Sequence, residues 1–150
     1  MEIGGDSRLR LGHCALTSKD PTALSGFYER FLGLHRVGEV ATEQTGAMVF
    51  LSTEQHGPPQ LQLMSNPEGR HVAFQVDSLA ELRELYATAP QRGARVVMSF
   101  DHGPTFSFYI HDPDGNTCEI YWPTGRRSGG GNRPIDLTRP EEELLELIRT

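Results

Sequence analysis

Apolar and polar positions along the chain fall into two passes of one pattern. His13-Cys14-Ala15-Leu16 recurs 58 residues later as His71-Val72-Ala73-Phe74, and each copy leads through a short polar turn into a helical repeat. After the first copy, Leu24, Phe27, Tyr28, Phe31 and Leu32 recur at helical spacing, with Asp20 and Thr22 available as caps and Gly33 near the stop. After the second, Leu79, Leu82, Leu85 and Tyr86 follow Asp77-Ser78, and Pro90 with Gly93 ends the helix. Short strand-like runs between Gly, Pro and Asp turns come next, over 36–40, 47–51 and 60–64 in the first half and 95–99, 105–111 and 117–122 in the second.

The predicted unit is therefore βαβββ, used twice, which makes the fold class α+β. One such unit covers a single face of its sheet with its helix, so the other face needs a partner surface. Two units facing each other would enclose a cleft. The expected organisation is an N-terminal tail over 1–8, a domain over 9–123 with modules at about 9–65 and 69–123, and a Gly-rich linker with a C-terminal helix over 124–150. Gly125, Gly129, Gly130 and Gly131 argue against any regular element in 124–139. Thr138-x-x-Glu141 then reads as a capping box with Pro140 in the first turn. Leu144, Leu145 and Ile148 form a stripe for the domain itself or for a second subunit.

Composition narrows the function classes. The 150 residues are 37% hydrophobic and 23% charged, ordinary globular usage, and the length fits about one domain. Fourteen Lys and Arg against 20 Asp and Glu give a net charge of -6, with no basic run longer than Arg126-Arg127, which disfavours nucleic-acid and anionic-membrane partners. Neither a secretory leader nor a membrane-length apolar run is evident, so a cytoplasmic protein is expected. Cys14 and Cys118 lack CxxC spacing and imply no oxidising compartment.

Strand alternation gathers the polar residues. In the first strand His13 and Ala15 oppose Cys14 and Leu16; in its repeat His71, Ala73 and Gln75 oppose Val72, Phe74 and Val76. Ser107, Tyr109 and His111 oppose Phe106, Phe108 and Ile110, and Thr117, Glu119 and Tyr121 oppose Cys118, Ile120 and Trp122. His13, His71, Glu119 and Tyr109 thus project from the face away from the helices, and two histidines with one carboxylate make a facial set for a divalent metal. Each histidine alone has an ordinary structural reading, and a salt bridge to an arginine is the ordinary reading of Glu119. A carboxylate at that inward position otherwise carries a heavy desolvation cost.

LGHCAL at 11–16, RHVAFQV at 70–76 and SFYIHDPDGNTCEIYW at 107–122 resemble the vicinal oxygen chelate superfamily of glyoxalases, bleomycin- and fosfomycin-resistance proteins and type I extradiol dioxygenases, over about 9–123. The resemblance implies paired βαβββ modules, with His13, His71 and Glu119 as metal ligands. Among its members the chain looks most like the extradiol (catechol 2,3-) dioxygenases, which hold iron(II) and leave positions for a catecholate and dioxygen. Iron(II) is therefore the expected cofactor, with manganese(II), zinc(II) and nickel(II) as alternatives. By the same resemblance Tyr109, ten residues before Glu119, would donate to a substrate oxygen, while His102 and His56 would act as acid/base groups. An exposed loop histidine is the alternative for His56, and a turn-shaping one for His102. His35 and His111 read as surface or supporting residues.

Glyoxalase-like members add a Glu or Gln ligand in the first module, and Gln60 and Gln62 both have the parity for it. The alternative functions are a glyoxalase-like lyase/isomerase or thiol transferase, and a metal-free binding protein of the bleomycin-resistance kind. A small-molecule substrate and a homodimer are expected.

Overall fold

The computed structural model describes residues 8–43, 45–127 and 131–149. Nearly all of the expected tail, together with Gly129 and Gly130, lies outside the described residues. The chain divides into two compact units, one over Gly12–Val72 and one from Met1–Leu11 with Ala73–Thr150.

The first unit holds β1 (Arg10–Thr17, entering from Leu11), α1 (Pro21–Leu32), β2 (His35–Thr42), β3 (Gly46–Ser52) and β4 (Leu61–Met64). Asp20 caps α1 by accepting from the Ala23 amide, and Gly33 ends it in the left-handed conformation at φ 69°, which costs glycine nothing. The strand order is β2-β3-β4-β1, antiparallel except for the parallel pair β1/β4. Leu24 and Tyr28 of α1 pack with Leu16 onto buried Val49, Leu51 and Leu63. Here the expected apolar stripe is too wide: Phe31 is 72% exposed, and Phe27 and Leu32 are also exposed. Phe27 and Phe31 sit three residues beyond Leu24 and Tyr28, about 60° around the helix axis, and stack on each other at 5.5 Å instead.

The second unit repeats the plan with β5 (His71–Gln75, continuing from the first unit), α2 (Leu79–Thr88), β6 (Arg95–Asp101), β7 (Thr105–His111) and β8 (Thr117–Pro123). Ser78 caps α2 through the Glu81 amide. Phe106 and Phe108 from β7 and Ile120 from β8 pack with Val76, Leu79 and Leu82, and Tyr86 meets Phe108 edge-on at 5.5 Å. The strand faces assigned by alternation are the faces that α2 covers.

The C-terminal segment departs from expectation. Arg133–Pro134 form a short strand, β9, paired with Phe100 and Asp101 of β6, so 124–139 does contain a regular element. Glycines before it do not prevent pairing once Ile135 and Leu137 are buried in the core. The last helix, α3, runs over Glu141–Arg149 and starts three residues beyond the expected cap. Thr138 gives its amide and hydroxyl to the Asp136 carboxylate, a local turn that competes with capping. Leu144 is fully buried and Leu145 and Ile148 pack beside it, so the terminal stripe is used by its own unit. Burial of a leucine on this scale stabilises by roughly 1.5–3 kcal/mol. Among the described residues, no helix is long and apolar enough to cross a membrane.

Candidate functional site

In the first unit, β1 carries His13 and the start of β5 carries His71, and their Nε2 atoms lie 3.1 Å apart with the rings nearly perpendicular. His71 Nδ1 contacts the Gly69 carbonyl at 2.7 Å. A carbonyl only accepts, so Nδ1 carries the hydrogen and, in the neutral ring, Nε2 presents a lone pair. The 3-10 turn at Pro67–Gly69, capped by Asn66, puts that carbonyl in place. A Cβ at position 69 would stand 1.8 Å from the sulfur of the buried Met64, so any other residue there would displace that side chain.

The two glutamines separate cleanly. Gln60 Oε1 accepts from the Thr53 amide at 2.8 Å and the Thr53 hydroxyl at 2.7 Å, closing the loop ahead of β4. Gln62 is in register with Ala15 and so lies on the His13 face of the sheet. Ser18 N donates to Met64 O in this unit, and Val76 N to Tyr121 O in the other. With those pairs as counterparts, the residue equivalent to Glu119 is Gln62. His56 lies in an exposed turn of the first unit, and His35 is exposed at the start of β2.

In the second unit a tight turn sets the register. Asp112 accepts from the amides of Asp114 and Asn116 and from the Asn116 side chain, and Gly115 takes φ 84°. Those bonds, chiefly from Asn116, hold the exposed Asp112 carboxyl below its ordinary range. The turn pairs His111 with Thr117, and two steps along the strands it pairs Tyr109 with Glu119. A slip of one residue would send both to the opposite face.

Glu119 is 3% exposed and accepts a hydrogen bond from the fully buried Ser107 hydroxyl at 2.7 Å. Tyr109 is held far above the ordinary phenol range, first by burial, then by the Glu119 charge and by its hydrogen bond to Glu119, so its hydroxyl stays protonated. Burial and then the same charge raise Tyr121, with Arg10 opposing. The Tyr109 hydroxyl is also 2.9 Å from His102 Nε2, and His102 Nδ1 is 2.7 Å from Asn132 Oδ1. The second unit therefore brings His102, Tyr109 and Glu119 into one hydrogen-bonded series. Asn132, which joins this series through His102, carries no signal in the sequence, since it falls in a segment that composition marks as linker.

The sequence profile of the Glyoxalase/Bleomycin resistance protein/Dioxygenase superfamily matches residues 10–120. The chain belongs to this superfamily. A curated relative, biphenyl-2,3-diol 1,2-dioxygenase 3 of Rhodococcus globerulus, is 33% identical over 122 residues, a match that covers 74% of this chain and 62% of the relative. The chain spans about three-fifths of the length of the curated relatives it matches. Among solved structures, the 2,2',3-trihydroxybiphenyl 1,2-dioxygenase of Sphingomonas wittichii strain RW1 superposes with a TM-score of 0.60 at 19% identity, over 90% of this chain and 47% of that one. A methylmalonyl-CoA epimerase from Mycobacterium tuberculosis gives a TM-score of 0.61 at 21% identity, over 81% of this chain and 93% of that one. Both likenesses concern the superfamily fold, the vicinal oxygen chelate arrangement of βαβββ units.

Proposed function

We propose that this member of the superfamily is a metal-dependent dioxygenase of the extradiol type, with His13, His71 and Glu119 holding iron(II) and a catechol-like compound as substrate. The observation that carries the reading is the His13–His71 pair. Two Nε2 atoms 3.1 Å apart match the roughly 3 Å separation of adjacent ligands around an ion with metal–nitrogen bonds of about 2.1 Å. The bond from His71 Nδ1 to a backbone carbonyl is the usual support of a ligating imidazole. Two imidazoles and a buried carboxylate fit a divalent ion, and the trio is of the type that holds one. The catechol class is supported by the biphenyl-2,3-diol dioxygenases of Rhodococcus globerulus.

Bound iron(II) supplies open positions where a catecholate and dioxygen can react. The protein's own groups supply the rest. Tyr109, kept protonated by burial and the Glu119 charge, donates a hydrogen bond to a substrate oxygen. His102 Nε2 lies 2.9 Å from the Tyr109 oxygen and serves as the acid/base group beside it. The Phe100 ring, 5.6 Å from His102 and 6.3 Å from Tyr109 between centroids, limits water at that end. His56, on its exposed turn, is a further acid/base group in this proposal. Cytoplasmic location and a homodimer complete the proposal.

Anaerobic loading with iron(II), followed by 3-substituted catechols and biphenyl-2,3-diol in air, is expected to consume oxygen and produce a yellow product. Loaded protein that does neither would overturn the reading. A second reading, a glyoxalase-like lyase/isomerase or thiol transferase, is favoured by one observation: Gln62 stands where the repeat would put a counterpart of Glu119. It requires nickel or zinc in protein purified without chelating resin, and loss of that metal in Gln62→Ala. If chelators and divalent ions leave thermal stability unchanged, a metal-free binding protein is the better description.

A further inference from the structure

We infer that Ser107 is a positioning residue for the metal centre: its buried hydroxyl, backed by Thr105, holds one oxygen of Glu119 so that the carboxylate meets the ion through the other. The inference rests on Glu119 being a ligand, as proposed above, and not on the oxygen chemistry. Thr105, Ser107 and Tyr109 alternate along β7 with Phe106 and Phe108, so three hydroxyl-bearing side chains share one face. Register puts Tyr109 opposite Glu119 and Ser107 opposite Tyr121, two residues further along β8. Ser107 and Glu119 are therefore diagonal neighbours on that face, a separation that a long side chain can span and a short one cannot. The glutamate reaches the serine, and the contact is 2.7 Å.

Counting hydrogens fixes the direction of this row. A carboxylate only accepts, so the single Ser107 hydroxyl hydrogen goes to Glu119 Oε2. The 3.2 Å contact between Thr105 Oγ1 and Ser107 Oγ is then donated by Thr105. A hydroxyl that accepts one hydrogen bond donates a stronger one. Ser107 is fully buried and Glu119 nearly so, which leaves little water to replace the bond if it is lost. The two oxygens of a carboxylate offer about four acceptor sites, so the bonds from Ser107 and Tyr109 are compatible with a bound ion. Without Ser107 the carboxyl group is released to turn about its terminal torsion, which is a broad one, and to bring both oxygens to the same ion. The first unit has no such row. Met48 pairs with Met64 as Phe50 pairs with Gln62, so Met48 holds the place of Ser107, and Gly46, two residues earlier, the place of Thr105. The hydroxyls accompany the carboxylate and are missing at the matching positions beside the amide.

The test uses the full chain with zinc(II) as the probe, so that neither oxygen nor a catechol is needed. Competition with a chromophoric chelator gives the zinc affinity, which is expected to fall about 10- to 100-fold in Ser107→Ala. Thr105→Val leaves Ser107 and Glu119 in place and should lower it about two- to fourfold, and Thr105→Ser should restore it. Infrared difference spectra of zinc-loaded minus zinc-free protein, made with carbon-13 glutamate, read the ligating carboxylate, and the band lost in Glu119→Gln assigns it. The antisymmetric and symmetric stretches should be widely separated in wild type, as for ligation through one oxygen, and closer together in Ser107→Ala. Circular dichroism should match across the variants. Unchanged affinity in Ser107→Ala, closely spaced stretches in wild type, or a loss of affinity with unaltered spacing, the mark of a merely structural role, would overturn the inference. Wild-type affinity in Thr105→Val would overturn the part given to Thr105. Zinc held through one Glu119 oxygen in protein that turns over no catechol when loaded with iron(II) would uphold the role of Ser107 and count against the dioxygenase reading alone. Wild type that takes up neither zinc(II) nor iron(II) would overturn the metal reading itself, and the role of Ser107 with it.

Discussion

Replacing Arg126 by leucine tests whether the segment after β8 is part of the folded unit. Arg126 Nη2 lies 2.6 Å from Asp101 Oδ1, with side-chain exposures of 20% and 9%. Losing one partner of a fully buried pair costs about 3–5 kcal/mol, because the other charge is left stranded. Here water reaches the arginine side, which brings the cost to roughly 2–3 kcal/mol. The guanidinium sits 5.7 Å from the Phe106 ring centroid, adding about 0.5 kcal/mol. Against this, Arg126 Nε is buried with no hydrogen-bond partner among the described residues, and removing it returns about 1 kcal/mol. The net expectation is a loss of about 2 kcal/mol. For a chain of this size that lowers Tm by roughly 4–8 °C. Differential scanning calorimetry on wild type, Arg126→Leu, Asp101→Asn and the double variant makes a closed cycle. The double variant should be no less stable than Arg126→Leu, with a coupling of at least about 1 kcal/mol. Strictly additive losses, or a Tm within 1 °C of wild type for Arg126→Leu, would refute the reasoning.

His13→Ala, His71→Ala and Glu119→Ala should each lose bound divalent metal by mass spectrometry; wild-type stoichiometry in all three would exclude the proposed ligand set. Tyr109→Phe keeps the ring and deletes one donor, so turnover should drop roughly 10²–10³-fold while metal content measured on the same preparation holds. Asp112→Ala should lower Tm at neutral pH. Because the folded carboxyl is held below its ordinary 3.8, that difference is full above the ordinary value and closes as pH falls through the lowered one, a trend that thermal melts across acid pH will reveal or deny. A homodimer is expected, and a sedimentation-equilibrium mass near the 16.7 kDa of one chain at micromolar concentration would contradict it.

What could be read in the sequence was local. Asp20 and Ser78 act as caps and Gly33 as a stop because each needs only neighbours within one turn. Strand alternation likewise needs no partner to be known, and it put Ser107, Tyr109 and Glu119 on a shared face before their register was available. Three things needed long-range contacts. Phe27 and Phe31 match a helical stripe in sequence, yet only the sheet's position decides that Leu24 and Tyr28 are the residues covered. Thr138 has the spacing of a capping box, but Asp136 captures its hydroxyl first. Asn132 meets His102 across 30 residues, from a stretch whose glycines read as linker.

The internal repeat makes the asymmetry between the two halves informative. Both offer a histidine at the same place, His13 in one and His71 in the other. At the next equivalent place the first offers the neutral amide of Gln62 and the second the carboxylate of Glu119. The positions opposite these also differ: Phe50 pairs with Gln62, whereas Tyr109 pairs with Glu119. A phenylalanine cannot donate a hydrogen bond, so the first half has no counterpart to the Tyr109–His102 series. The groups proposed to handle protons therefore accumulate in one half, where burial and the Glu119 charge keep the tyrosine protonated. A symmetric pair of carboxylates would bring four protein donors to an ion and leave fewer places for substrate. On the proposed dioxygenase reading, a weakly ligating amide in place of one of them would reduce the protein's hold and leave room for a bidentate substrate and dioxygen, whereas a firmly ligating Gln62 would fit the glyoxalase-like reading. Converting Gln62 to glutamate should therefore tighten metal retention against a chelator while lowering turnover with catechols. Higher turnover in Gln62→Glu, or unchanged retention, would show that position 62 does not face the metal and that the asymmetry has another cause.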